Sequence, residues 1–384
     1  MAGRFPEHLE PERSSARAAD RWSPDGPRTS ARFAPTSYAG ALLLFVFTAA
    51  CATAPADQDL LDTAPVVTST IERAGVRDLR GSYRSALCAA LEGQAGRGCE
   101  AVLRRVGAEP PAPEQSPMPF EEIGRRYRIG IVPGILAECL PPESRPFAES
   151  AARLRAQGLE VVEFAVGGRA NVRRNAERLA QQIGALPEGP PLIVVGYSKG
   201  LVDTLEMAAA RPDLQARIAA VISVAGAAQG SVLAEPYGAL YRATVMHLPL
   251  KHCEPGDGSE LRDLGRDVRA VWWQSHGAGV TVPIYSIVAL PDDEQLSPIL
   301  RATFDDIADV DARNDGQLIW TDAVVAPGAL LGYVNADHWG IAMALRRAFP
   351  VLAAEFRDDV PRAAMLGAAI QTVVRDLEAR AGRQ

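Results

Sequence analysis

The chain has 384 residues, of which 47% are hydrophobic and 23% charged, with a formal net charge of -7. That length allows one large domain or two smaller ones, and the composition is that of an ordinary globular protein with a sizeable core. An acidic balance without a long basic run argues against both nucleic acid as a partner bound through counterion release and a polybasic membrane patch.

The first 37 residues are rich in Arg, Pro, Ser and Ala and have no helical or strand period. Ala39 to Ala50 is then apolar throughout and ends at Cys51. This run is too short to span a bilayer comfortably, so residues 1–51 read as a cleaved export leader. Thr48-Ala49-Ala50-Cys51 resembles a bacterial lipobox, in which small residues precede a cysteine that becomes lipidated. Expected from this are export to the cell envelope, periplasm or outer membrane, and a membrane contact through a lipid on Cys51. Residues 52–70 have the Ala, Asp, Thr and Pro content of a tether.

Setting Cys51 aside leaves Cys88, Cys99, Cys139 and Cys253, an even number, as expected in an oxidising compartment. Cys88 and Cys99 flank a short Gly-rich turn and can bridge locally. Cys139 and Cys253 would tie two long loops together, and four free thiols are the alternative. Residues 71–108 carry apolar residues at helical spacing on both sides of the Gly93 to Gly98 turn, which predicts a helical hairpin. A Pro-dense linker is expected over 109–125.

From residue 126 strands and helices alternate. Ile129 to Val132 reads as a strand, Phe147 to Gln157 as a helix, Val161 to Val166 as a strand and Val172 to Ile183 as a helix. Leu192 to Val195, bracketed by Pro191 and Gly196, is an aliphatic run too short for a helix and reads as a strand buried on both faces. Leu201 to Arg211 has helical spacing and is stopped by Pro212. Further strands are expected at Ala220 to Val224, Pro283 to Leu290 and Leu330 to Val334. This succession specifies an α/β fold with a mainly parallel sheet covered by helices on both faces. The interval between the strands at Val224 and Pro283 exceeds fifty residues and is partly apolar. At about 227–281 it reads as a helical lid that supplies a substrate pocket.

Between one strand and helix lies Gly196-Tyr197-Ser198-Lys199-Gly200. Two glycines permit a sharp turn that holds Ser198 at the carboxyl edge of the sheet, near the positive end of the following helix. A serine hydroxyl is a weak nucleophile at neutral pH and needs a base, which in turn needs an acid to fix its tautomer. Of five histidines, His8 is in the leader, His247, His252 and His276 lie in the expected lid, and His338 follows the last strand. His338 is therefore the base candidate. Asp315, in Asn314-Asp315-Gly316 and 23 positions before His338, is the first choice for the acid. Asp292 and Asp293 compete from the end of the preceding strand, whereas Asp337 is too close in sequence to reach its neighbour's ring easily. Oxyanion donors are expected from the backbone N–H groups of Lys199 and of Ile135, the latter in Pro133-Gly134-Ile135 after the first strand of the alternating series. Lys199 is one of two lysines in an arginine-rich chain, and a cation at a helix start is slightly unfavourable, so a local task is expected for its side chain, with accident as the alternative.

Gly196-Tyr197-Ser198-Lys199-Gly200, Asn314-Asp315-Gly316 and Asp337-His338 together make the chain from about residue 126 resemble the α/β-hydrolase superfamily, and within it bacterial triacylglycerol lipases and esterases. Their oxyanion loop usually reads His-Gly, and here it is Pro133-Gly134. The resemblance implies hydrolysis of small-molecule or lipid carboxylic esters through an acyl-enzyme, without a metal or other cofactor. Thioesterases, polyester depolymerases and peptidases use the same machinery. A silent envelope lipoprotein that keeps the scaffold for binding is the alternative from another class.

Overall fold

The computed structural model describes residues 74–112, 116–243, 253–254 and 256–383. The leader, the lipidation site at Cys51, the tether, His247 and His252 fall outside them.

Strand β1 (Val76–Asp78) opens the described chain, followed by helix α1 (Arg80–Leu91), a single helical turn at Cys99–Val102 and strand β2 (Leu103–Arg104). A short helix at Phe120–Arg126 leads into β3 (Arg128–Val132), α2 (Ala148–Ala156), β4 (Val161–Glu163), α3 (Val172–Ala185) and β5 (Leu192–Tyr197). Helix α4 (Lys199–Ala210), β6 (Ile218–Val224), α5 (Arg266–His276), β7 (Ile284–Ala289), β8 (Gly328–Val334) and α6 (Arg362–Ala381) complete the principal elements.

The strands form one eight-stranded sheet in the order β1-β8-β7-β6-β5-β3-β4, with β2 also on β8. Every pairing is parallel except β2 with β8. Parallel strands need long crossovers, and these bring helices onto the two faces. In β5 the two faces are visible in the sequence: Ile193 and Val195 join one core cluster with α1, α2 and α6, while Leu192 and Val194 join another with α3 and α4. This two-residue period on a strand buried throughout explains the unbroken aliphatic run.

The expected helical hairpin over 71–108 is corrected. Only its first arm is a long helix; the ends of the segment are β1 and β2, which add to opposite ends of β8. Val76–Asp78 and Leu103–Arg104 are too short to carry an alternating signature, and pairing with β8 decides their conformation. The segment is bound into the fold by side chains as well. Buried Arg84 pairs with Glu109 at 2.6 Å, and the hydroxyl of Tyr83 donates to the Met365 carbonyl at 3.2 Å.

Two disulfides are present, Cys88–Cys99 and Cys139–Cys253. The first closes the turn after α1, and the second joins the loop after β3 to the long interval between β6 and β7. Helix α5 within that interval is tied to α4 by the Trp272 indole, which donates to Glu206, and to the start of the interval by the Trp273 indole, which donates to the Ala228 carbonyl at 2.8 Å.

Candidate active site

The turn from β5 into α4 sets Ser198 in an unusual backbone conformation, with φ 52° and ψ -122°. Such a conformation is costly for a residue with a Cβ and is held here by its surroundings. The Ser198 N–H donates to the Val224 carbonyl at 3.2 Å, and its own carbonyl accepts from Leu201 and Ala227. Glycines are required on either side. A Cβ on Gly196 would stand 2.8 Å from the Leu201 Cα, and one on Gly200 would stand 2.2 Å from the Val132 carbonyl oxygen.

His338 lies on the loop after β8. His338 Nε2 lies 2.9 Å from Ser198 Oγ, and its Nδ1 lies 2.7 Å from Asp315 Oδ2. All three residues are buried, Ser198 being the most accessible at 7%. Asp315 is itself fixed: its second oxygen, Oδ1, accepts from the backbone N–H groups of Gln317 at 2.9 Å and Leu318 at 2.7 Å. With one oxygen occupied in this way, the other is left for the imidazole, which selects the tautomer with its proton on Nδ1 and a lone pair facing Ser198.

The competing acids are engaged elsewhere. Asp292 accepts from the Asn335 amide at 2.7 Å, and Asp293 pairs with Arg301 on the surface. Asp337 adjoins His338, yet its oxygens accept from the N–H groups of Ser297, Trp339 and Gly340. Burial raises its carboxyl above the ordinary range. Among the remaining histidines within the described residues, His276 is exposed at the end of α5, stacked on Trp272.

Tyr197 was not anticipated by the sequence reading. Its hydroxyl donates to the His338 carbonyl at 2.7 Å, and its ring lies 5.4 Å from the imidazole. Burial, with the charges of Asp315 and Asp337, raises the phenol well above its usual range, so it remains a neutral donor.

The Pro133-Gly134-Ile135 loop runs beside Ser198, close enough that a Cβ on Gly134 would come within 3.1 Å of the Ser198 Cβ. Among the described residues, neither the Ile135 N–H nor the Lys199 N–H at the start of α4 has an acceptor. Two free donors beside a serine suit a developing negative oxygen. The Lys199 side chain turns inward and ion-pairs with Asp203 at 2.7 Å, both being about 1% exposed. Burial pushes the Asp203 carboxyl up to about 6, and Lys199 opposes that shift. The lysine and aspartate stand one helical turn apart, a spacing that could have suggested the pair.

The chain is similar to a solved metagenomic carboxyl esterase, MGS0156, at 35% identity and a TM-score of 0.74, over 79% of this chain and 94% of that one. The chain belongs to the α/β-hydrolases. Lesser similarities of this α/β-hydrolase are to the mature Bacillus licheniformis lipase BlEst2, at 18% identity and TM-score 0.47 over 62% and 94% of the two chains. The Staphylococcus hyicus lipase follows at 12% and 0.45 over 71% and 99%. No protein-family model and no curated protein matches the sequence.

Proposed function

We propose that this α/β-hydrolase cleaves carboxylic esters through an acyl-enzyme on Ser198. The observation that carries the reading is the continuous line from Ser198 Oγ through His338 to Asp315, with both links at or below 2.9 Å. The name of the 35% identical relative, a carboxyl esterase, supports an ester as the substrate.

In this mechanism His338 Nε2 takes the hydroxyl proton as Ser198 Oγ bonds to the ester carbonyl carbon, and the carbonyl π electrons move onto its oxygen. The N–H groups of Lys199 and Ile135 hold that oxyanion, while Asp315 stays ionised and stabilises the imidazolium. Collapse breaks the bond to the alkoxy oxygen, which leaves as the alcohol with the proton from His338. Water then attacks the acyl-Ser198 carbonyl, gives a proton to His338 and releases the carboxylic acid as Ser198 recovers its hydrogen.

The two disulfides support an oxidising location outside the cytoplasm. Among the described residues no helix is long and apolar enough to cross a membrane. We infer export by the leader at 1–51, with a lipid on Cys51 and a tether at 52–70; the lipid anchor rests on the sequence alone. Strand β1 belongs to the sheet of the hydrolase body, and we infer from the sequence alone a lid at about 227–281.

Hydrolysis of p-nitrophenyl acyl esters by the wild type and by Ser198→Ala tests the activity. The variant should lose about six orders of magnitude in kcat, as when a serine nucleophile is removed. Equal rates would overturn the reading.

A further inference from the structure

Lys199 touches the site twice, once through its backbone N–H and once, indirectly, through its side chain. Its Nζ donates to both oxygens of Asp203, at 2.7 and 3.0 Å, with no solvent to share the charge. A buried ion pair is often no more stabilising than two apolar side chains of similar size. Stability alone therefore gives little reason for a lysine at this position.

The pair continues into a third residue. Asp203 Oδ2 also accepts from Asn175 Nδ2 of α3 at 2.9 Å. The Asn175 amide closes on the backbone of Gly167 from both sides: Nδ2 donates to the Gly167 carbonyl at 3.0 Å, and the Gly167 N–H donates to Oδ1 at 2.9 Å. The next residue, Gly168, accepts from the Leu136 N–H at 3.0 Å. Gly168 lies so close to this loop that a Cβ there would stand 2.8 Å from the Leu136 Cα. Leu136, held at φ 58°, is the residue after Ile135.

We propose that Lys199, Asp203 and Asn175 are positioning residues that fix the distance between the two oxyanion donors. Lys199 supplies one donor with its own N–H. Its side chain, through Asp203, Asn175 and the Gly167-Gly168 backbone, holds the loop that carries the other. An oxyanion hole works only with both donors about 2.7–3.1 Å from the oxyanion, so a loop free to shift by a few tenths of an ångström loses rate without losing substrate. The inference rests on the ester hydrolase reading above.

Two variants test it. Asn175→Ala cuts the link to the loop and leaves the charges paired, while Lys199→Met with Asp203→Leu replaces the ion pair by apolar side chains of comparable size. Each should lower kcat for p-nitrophenyl butyrate by about 10–100-fold, less than deletion of a donor, with KM changed by no more than about threefold. The affinity for a trifluoromethyl ketone, which forms an oxyanion on Ser198, should fall by the same factor as kcat/KM. The double variant should keep the wild-type Tm. A purely structural network gives the opposite pattern, in which a variant with wild-type Tm has wild-type kcat and ketone affinity, and that result in either variant would overturn the proposal. Ser198→Ala separates the two readings. If it hydrolyses as fast as wild type, the ester hydrolase reading is what fails; if it is inactive and the network variants are fully active, only the positioning role fails.

Discussion

Asp315 is bonded to His338 twice, by its side-chain Oδ2 to Nδ1 at 2.7 Å and by its carbonyl to the His338 N–H at 2.9 Å. The backbone link sets the loop after β8 in place and so holds the side-chain link. Asp337, the sequence neighbour of His338, accepts instead from its own turn and from the Ser297 N–H.

Asp315→Asn should therefore lower kcat by about four orders of magnitude, because an amide can present its NH₂ to Nδ1 and favour the wrong tautomer. Asp292→Asn should stay within about threefold of wild type, since that side chain serves Asn335. Steady-state kinetics on both variants checks the assignment, and a reversed pattern would move the acid to Asp292.

Tyr197→Phe removes one hydrogen bond and leaves the His338 carbonyl buried without it. Denaturant unfolding should record a loss of about 1–3 kcal/mol. A loss near zero would mean that the loop finds another donor.

The disulfides close loops of very different length, with sequence separations of 11 for Cys88–Cys99 and 114 for Cys139–Cys253. On chain entropy alone, replacing the longer-range pair by serines should cost about 5 kcal/mol and the shorter about 3 kcal/mol. Urea unfolding of the two double variants compares them directly, and equal costs would contradict a loop-entropy origin.

Asp322 gives a pH dependence whose sign is fixed. Burial raises its carboxyl to about 6 in the folded protein, with Arg266 opposing, against an ordinary 3.8. The folded state then binds more protons than the unfolded state between these values, so this group's contribution is fully present below the unfolded value and is lost as pH rises towards about 6. Relative to Asp322→Asn, wild type should lose on the order of 3 kcal/mol between pH 4 and pH 7, as measured by unfolding at each pH. A difference independent of pH would contradict the raised value.

The parts readable from sequence were those in which local pattern and tertiary role agree. β3, β5, β6, β7 and β8 are dominated by apolar residues because they are covered on both faces, and the Ser198 turn is announced by glycines that close packing demands. Val76–Asp78 and Leu103–Arg104 escaped because two or three residues cannot show a period, and the neighbouring α1 biased the whole segment towards helix. The extension of the Lys199–Asp203 pair escaped for a different reason. Asn175 meets Asp203 only after α3 and α4 pack together, a contact with no fixed spacing in the chain.

Reaction with a fluorophosphonate, followed by peptide mapping by mass spectrometry, tests the central claim most directly, because it reads the nucleophile itself rather than a rate. The expected result is one adduct per chain, on the peptide containing Ser198, formed at least a hundredfold more slowly in His338→Ala, about the contribution of a general base. An unmodified Ser198 in the folded wild-type protein, or an adduct on another residue, would contradict the account.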